Sequence, residues 1–181
     1  MVPSKNKAVI LDRDGVINVD KGYVHKLQDF EFLPKAIDAL KRLPKDFKLI
    51  IITNQSGIGR GFYTEKQFLS FSKAVEELLL QQGIRIDKIY YCPHPPEVNC
   101  ECRKPKPALL KKAIKDFNLD VNSCFVIGDK TADIKMGETC GCHTILVKTG
   151  YGGKDKEYSV NPNYIAEDLY DAVTYILKKN G

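Results

Sequence analysis

Short apolar runs separated by segments of helical spacing constrain the fold of this chain more than any other feature. The runs are rich in β-branched and aromatic residues, as buried strands are, and they lie at residues 8–11, 49–52, 89–91, 125–127 and 144–147. Strands that alternate with helical patterns predict βα units around a parallel sheet. We therefore predict an α/β fold, a three-layer Rossmann-like parallel sheet with helices on both faces.

Helices are predicted in the intervals between these strands. Pro34 suits the first turn of one helix, and Thr64 with Gln67 forms a capping-box pattern before another. Further helices should begin near Pro107 and occupy the last residues. Apolar residues recur at helical spacing and should pack on the sheet: Ile37, Leu40, Leu43; Phe68, Phe71, Val75, Leu78, Leu79; Leu110, Ile114, Phe117; Leu169, Val173, Ile176, Leu177.

Length and charge narrow the class of protein further. The 181 residues fit one domain, 1–181, with no large cap domain. The net charge of +5 is spread along the chain, with no basic stripe interleaved with aromatics, so we expect a small anionic partner and no nucleic acid. The first residues lack the apolar core of a secretory signal, and no apolar stretch approaches the roughly 20 residues that cross a bilayer. We expect a cytoplasmic protein without a membrane partner, and a monomer, because no exposed apolar helix face is left over.

Polar residues follow three of the predicted strands at the edge where a parallel sheet binds ligands. The first strand leads into Asp12-Arg13-Asp14-Gly15, the second into residues 53–57, and the fourth into Gly128-Asp129-Lys130, with Asp133 further on. Crowded carboxylates repel one another, and a hard cation such as Mg²⁺ relieves that repulsion. One such motif alone indicates a solvated turn, and Asp129 alone suits a helix N-cap. Agreement among three strand ends instead predicts a phosphoryl-transfer site.

These segments, together with Cys102-Arg103-Lys104-Pro105, resemble the four motifs of the haloacid dehalogenase superfamily over nearly the whole chain. The resemblance implies that Asp12 is the nucleophile and that Asp14 is the general acid and base. It implies that Thr53 and Lys104 hold the phosphoryl group. It also implies a catalytic Mg²⁺ held by the carboxylates of Asp12 and Asp129 and by the backbone carbonyl of Asp14.

A second cluster, at residues 92–102, contains Cys92, His94, Cys100 and Cys102. Three thiolates and an imidazole suit tetrahedral Zn²⁺, whereas Cys92 alone would be a buried apolar residue. Since four protein ligands leave no open position, we predict a structural Zn²⁺ that fixes this loop and sets the reach of Arg103 and Lys104.

The other cysteines, two histidines and a late loop lie outside these two clusters. Cys124 should begin a buried strand, and the Cys140 and Cys142 pair indicates helix-end packing before a metal pair. His25 and His143 are isolated. The segment 151–163 is polar and Gly-rich, as a mobile loop without a readable role would be.

Within the superfamily, the zinc loop resembles two families, the histidinol-phosphate phosphatases and the D-glycero-D-manno-heptose 1,7-bisphosphate 7-phosphatases. The segment 18–25 and the string Phe30-Glu31-Phe32 are similar to the heptose family. That resemblance implies a small phosphorylated sugar as substrate, hydrolysed at its C7 phosphate. Histidinol phosphate remains an alternative substrate, and a non-catalytic sugar-phosphate-binding protein is a further one. The implied substrate contacts are Asp20, Gly22, Tyr23, Asn54, Gln55, Ser56, Arg103 and Lys130.

Overall fold

A six-stranded parallel sheet forms the middle layer of the protein. The structure is a computed structural model that describes residues 5–180. Both ends of the predicted domain 1–181 lie outside the described residues. Those ends include the first four residues of the segment considered for a secretory signal. The strands occur in the order β3-β2-β1-β4-β5-β6, and every pairing is parallel. Their bounds are β1 Asn6–Leu11, β2 Phe47–Asn54, β3 Lys88–Cys92, β4 Leu119–Gly128, β5 His143–Val147 and β6 Tyr164–Ala166.

Six helices connect or follow these strands: α1 Ala36–Lys41, α2 Ser56–Gly59, α3 Glu65–Gln81, α4 Ala108–Asp116, α5 Thr131–Cys140 and α6 Leu169–Asn180. The capping box of α3 is confirmed, because the Thr64 hydroxyl accepts from the Gln67 N–H at 3.2 Å and the Gln67 side chain accepts from the Thr64 N–H at 2.8 Å. Helix α1 begins later than Pro34, since Lys35 adopts a left-handed conformation before it. Leu43 lies beyond its end.

Helices cover both faces of the sheet, as predicted. Val9 and Leu11 of β1 face one apolar cluster with residues of α1, α3 and α6, whereas Ala8 and Ile10 face a second cluster with residues of α4 and α5. This alternation follows from the two-residue period of a strand. The predicted α/β, three-layer fold is therefore confirmed, and within residues 5–180 there is no cap domain.

The strand order reverses at β1, which lies between β2 and β4. Ligands of open parallel sheets bind at such a point, outside the carboxyl ends of the strands. Asp12 follows β1 there and Asp129 follows β4. Residues 14–33, which we call the flap, fold back in an antiparallel arrangement in which the Val19 N–H donates to the Glu31 carbonyl at 2.9 Å.

None of the helices between residues 5 and 180 combines the length and the apolar character that a bilayer crossing requires.

Candidate active site

A cleft of about 410 Å³ opens at the carboxyl ends of the central strands. Twelve of the residues that the sequence indicated for catalysis or substrate binding line it. They come from three strand ends, from the flap and from the residues just after the zinc loop: Asp12, Asp14, Asp20, Gly22, Tyr23, Thr53, Asn54, Gln55, Ser56, Arg103, Lys104 and Lys130. Asp129 is the remaining one of the predicted Mg²⁺ ligands, and it is fully buried. The sheet therefore brings together residues that are far apart in sequence.

Three buried carboxylates form the centre of this site. Oxygens of Asp12, Asp129 and Asp133 lie within 4.8 Å of one another. Burial raises the pKa of Asp12 to about 6, against the opposing charge of Lys104, and burial with the charges of Asp12 and Asp133 raises the pKa of Asp129 to about 8. Such a cluster is costly without a cation, and its oxygen donors are those that Mg²⁺ prefers.

The two oxygens of Asp129 have different surroundings. Oδ2 accepts from the Tyr151 N–H at 2.8 Å. If Gly15 carried a Cβ, that atom would lie 2.3 Å from Oδ2, and a Cβ on Gly150 would lie 2.2 Å from it, so neither position has room for a side chain. Both glycines have positive φ, so their conformation and their missing side chains bring the backbone close to this carboxylate. Oδ1 is buried and has no hydrogen-bond partner among the described residues. A buried, unpaired carboxylate oxygen in a carboxylate cluster fits a metal ligand.

Lys104 is the cation of this cluster. Its Nζ lies 2.8 Å from Asp12 Oδ1, 2.6 Å from Asp133 Oδ1, and 2.8 Å from the Ile52 carbonyl. Burial alone would lower the pKa of Lys104, but the charges of Asp12 and Asp133 raise it above its usual range. The ammonium therefore stays charged beside Asp12, where a phosphoryl group would need a cation.

Asp14 is held at the cleft wall by three neighbours. Arg13 Nη2 donates to both of its carboxylate oxygens at 2.9 and 2.8 Å, Asn18 Nδ2 donates to Oδ1 at 2.9 Å, and Gln55 Nε2 donates to Oδ2 at 3.3 Å. Arg13 is itself buried, with its guanidinium over the Phe71 ring at 5.0 Å. Arg13 was not among the predicted site residues, because an Arg between two Asp residues looks like an ordinary surface charge.

The predicted zinc ligands are brought together. Cys92, Cys100 and Cys102 place their sulfurs 3.1 to 3.4 Å from one another, and His94 Nδ1 lies 3.3 Å from the sulfur of Cys102 and 3.7 Å from that of Cys92. All four donor atoms lie within 4.8 Å of one another. Four mutually adjacent soft donors suit a tetrahedral ion such as Zn²⁺.

Hydrogen bonds to backbone carbonyls of the zinc loop connect this cluster to the cleft. The Cys92 carbonyl accepts from the Gln55 N–H at 2.7 Å and the Pro93 carbonyl accepts from the Gly59 N–H at 2.9 Å. The His94 carbonyl accepts from Arg103 Nη1 at 3.3 Å. A change in the loop should therefore be transmitted to Gln55 and Arg103, which line the cleft.

We expect Cys100→Ser to lower both the zinc content and the phosphate release that the superfamily resemblance implies, because one of the four ligands is lost and the loop loses its anchor. Elemental analysis should find about one zinc per chain in the unchanged protein. Cys140→Ser is the matched control, since Cys140 is also half-buried but lies outside the cluster. A zinc-free Cys100→Ser protein with full activity would contradict the positioning role of the loop.

The segment 151–163 takes part in the site, which sequence reasoning missed. Tyr151, Glu157 and Tyr158 line the cleft, and Gly153 donates its N–H to the Asp129 carbonyl at 2.8 Å. Asp155 accepts from the backbone N–H of Thr131, at the start of α5, at 3.1 Å, and from its hydroxyl. These contacts were not readable from composition, because they depend on where α5 begins.

The remaining cysteines and histidines pack within the fold. Cys124 lies inside β4 rather than at its start, because β4 begins at Leu119. Cys140 and Cys142 flank the C-cap Gly141 of α5 and belong to neither group of potential metal ligands found in residues 5–180. His143 stacks on Phe125 with ring centroids 5.1 Å apart, and His25 stacks on Tyr63.

Known proteins are similar to this chain in sequence and in fold. A HAD-hydrolase-like family model matches residues 101–172. The chain is 42% identical to the D-glycero-beta-D-manno-heptose-1,7-bisphosphate 7-phosphatase of Pasteurella multocida, over 91% of this chain and 94% of that one. It is 41% identical to the alpha-named enzyme of Photorhabdus laumondii, over 83% and 87%. The crystal structure of D,D-heptose 1,7-bisphosphate phosphatase from B. bronchiseptica, complexed with magnesium and phosphate, superimposes with a TM-score of 0.88 and 31% identity, over 96% and 99% of the two chains.

Proposed function

Because this chain belongs to the haloacid dehalogenase-like phosphatases, which are phosphoric monoester hydrolases, we propose that it hydrolyses the C7 phosphate of D-glycero-D-manno-heptose 1,7-bisphosphate. The products are the heptose 1-phosphate and inorganic phosphate. The observation that carries the proposal is the buried group of Asp12, Asp129 and Asp133, two of which pair with Lys104, at a cleft beside Asp14. A site that only bound a sugar phosphate would have no need of so many buried carboxylates beside the phosphate.

In the proposed reaction, an oxygen of Asp12 attacks the phosphorus and forms an aspartyl-phosphate while the bond to the sugar oxygen breaks. Asp14 gives its proton to that leaving oxygen and then removes a proton from the attacking water. Thr53 and Lys104 hold the phosphoryl oxygens. The free enzyme is restored when phosphate leaves Asp12.

Mg²⁺ is the proposed cofactor, and the unpaired Asp129 Oδ1 among buried carboxylates fits it. Asp12, Asp129 and the backbone carbonyl of Asp14 would hold it. When bound, it would neutralise charge on the phosphoryl oxygens. Both oxygens of Asp133 already have protein partners, Lys104 Nζ at 2.6 Å and the Lys130 N–H at 3.1 Å. Asp133 would therefore position Lys104 rather than bind the metal.

The cleft has further cations to receive the phosphate that stays on the sugar. Arg103, Lys106 and Lys130 line it in addition to Lys104. Lys130 Nζ lies 3.7 Å from Asp20 Oδ2 and 4.2 Å from the centre of the Tyr151 ring, so a flap residue and the loop 151–163 orient it. A bisphosphate can gain binding energy from contacts remote from the reacting phosphorus, whereas a monophosphate has no second phosphate to make them.

We expect the heptose 1,7-bisphosphate to be turned over with a much higher kcat/KM than histidinol phosphate, measured as phosphate release. Relatives of 42% and 41% identity are named for the beta and the alpha anomer, so the assay includes both. A preference for histidinol phosphate would refute the proposed substrate, and absence of phosphate release from the whole panel would refute the proposed hydrolase reaction.

Arg103→Ala supplies the internal comparison for this assay. It should lower kcat/KM for the bisphosphate more than for a simple monophosphate, since it removes an ionic contact to the remote phosphate. Lys112→Ala is the matched control, because Lys112 is exposed on α4 and pairs with Asp116 at 3.1 Å. An equal effect of Arg103→Ala on both substrates would contradict the remote contact.

A further inference from the structure

Gln55 and Tyr63 form a buried hydrogen-bonded pair beside Asp14. We propose that they are positioning residues that hold the Asp14 carboxylate in line with the leaving oxygen of the substrate. This inference rests on the proposed role of Asp14 as general acid, and it changes the expectation for Gln55, which the sequence analysis assigned to substrate contact.

Both ends of the Gln55 amide are taken up by protein groups, although the residue lies at the cleft. Its Nε2 donates to Asp14 Oδ2 at 3.3 Å and to Thr53 Oγ1 at 2.9 Å. Its Oε1 accepts from the Tyr63 hydroxyl at 2.7 Å. The side chain is only 3% exposed. A substrate hydroxyl would therefore have to displace one of these contacts, so binding substrate is not what the amide is arranged for.

Tyr63 decides which way this amide faces. Its hydroxyl donates to Oε1, which leaves the NH₂ group turned toward Asp14 and Thr53. Burial raises the pKa of Tyr63 to about 12, so the hydroxyl keeps its proton at neutral pH. In the reversed orientation, Oε1 would face the Asp14 carboxylate, and two acceptors would oppose each other.

The surroundings hold Tyr63 in place. It is 3% exposed, its ring stacks on His25 of the flap with centroids 4.3 Å apart, and a Cβ at Gly57 would lie 2.2 Å from its Cε1. Gly57 thus leaves room for the ring. Tyr63 therefore contacts His25 of the flap with its ring and Gln55, just after β2, with its hydroxyl.

Gln55 differs from the other neighbours of Asp14. Arg13 and Asn18 belong to the same segment as Asp14, whereas Gln55 comes from the end of β2 and binds Thr53 with the same NH₂ group. One amide therefore fixes the general acid relative to the hydroxyl that is proposed to hold the phosphoryl group. A shift of about 1 Å in such a group can cost roughly 100-fold in rate.

The test compares two leaving groups in a Tyr63→Phe protein, which loses one hydroxyl and little volume. The alkyl substrate is whichever of heptose bisphosphate and histidinol phosphate the unchanged protein hydrolyses, and its alkoxide needs a proton to leave. The aryl substrate is p-nitrophenyl phosphate, whose phenolate leaves unprotonated. We expect kcat/KM to fall roughly 10- to 100-fold for the alkyl substrate, within the roughly 10²- to 10⁴-fold that general acid catalysis supplies. The aryl substrate should change by less than about twofold, because it does not use that proton.

Gln55→Glu is the second variant, since it places an oxygen where the NH₂ group now faces Asp14. It should lower kcat/KM for the alkyl substrate by a larger factor than Tyr63→Phe does. Tyr90→Phe is the matched control, because Tyr90 is also buried and donates to a carboxylate, Asp116, at 2.7 Å, but does not line the cleft. Equal losses for both substrates in Tyr63→Phe, or no loss for either, would overturn the inference.

Asp14→Asn separates this inference from the function on which it rests. It should show the same selectivity for the alkyl substrate with a larger loss. Adding Tyr63→Phe to Asp14→Asn should then cost nothing further, because Tyr63 acts through Asp14. If Asp14→Asn slows both substrates equally, the general acid assignment fails. If Asp14→Asn is selective and Tyr63→Phe is not, only the positioning role fails.

Discussion

Replacement of Asp12 by Asn should abolish phosphate release, with a loss of roughly 10⁴-fold or more, while the protein still folds. The loss follows because the amide cannot attack phosphorus and form the covalent intermediate. Folding should survive because three buried carboxylates crowd together and only two of them pair with the one lysine, Lys104. Removal of the Asp12 charge relieves that repulsion and leaves Lys104 paired with Asp133.

Two measurements check this expectation together, steady-state phosphate release and thermal unfolding. The melting temperature of metal-free Asp12→Asn should equal or exceed that of the unchanged protein. Asp46→Asn is the control carboxylate, because Asp46 is exposed and pairs with Lys7 at 2.8 Å, away from the cleft. Near-normal turnover of a folded Asp12→Asn protein would show that another group is the nucleophile.

Removal of the proposed Mg²⁺ by EDTA should have the second largest effect, a loss of nearly all activity that added Mg²⁺ restores. The physical reason is that burial and mutual repulsion disfavour the charged carboxylates when no cation is bound. They raise the pKa of Asp12 to about 6 and that of Asp129 to about 8. Protons compete with the metal for these oxygens. The apparent Kd for Mg²⁺ should therefore increase as the pH falls from about 8 to about 6.

The zinc cluster gives the chelation experiment its internal contrast. Its four ligands are soft and leave no open position, whereas the carboxylate site would keep positions for water and substrate. Mild EDTA treatment should remove activity before it removes zinc, as followed by elemental analysis of the same samples. Full activity in the absence of all divalent cations would contradict the proposed Mg²⁺ dependence.

Much of the site was predictable because the fold places strand ends together. A parallel sheet places the carboxyl ends of its strands at one edge, so Asp12 after β1 and Asp129 after β4 could be assigned to one site although they are far apart in sequence. The capping box of α3 was predictable for a different reason. Thr64 and Gln67 satisfy each other's backbone groups locally, without help from the rest of the chain.

Other features depend on tertiary contacts that no local pattern encodes. Asp133 lies in the first turn of α5, and its carboxylate pairs with Lys104, 29 positions earlier in the chain, at 2.6 Å. The short edge strand β6 was missed because it has three residues and exposes 53% of Ile165. Tyr63 precedes a helix whose apolar face packs as ordinary core, and its hydroxyl donates to an amide eight residues away that no local pattern indicates.

The most direct test of the central claim is a rapid acid quench of the unchanged protein during turnover of substrate labelled at the reacting phosphate. The account predicts a labelled protein that forms before free phosphate, is stable in acid and is lost in hydroxylamine, as an acyl phosphate is. Proteolysis should place the label on the peptide that contains Asp12, and Asp12→Asn should carry none. Label on any other residue, or phosphate release without labelled protein at any time of quench, would contradict it.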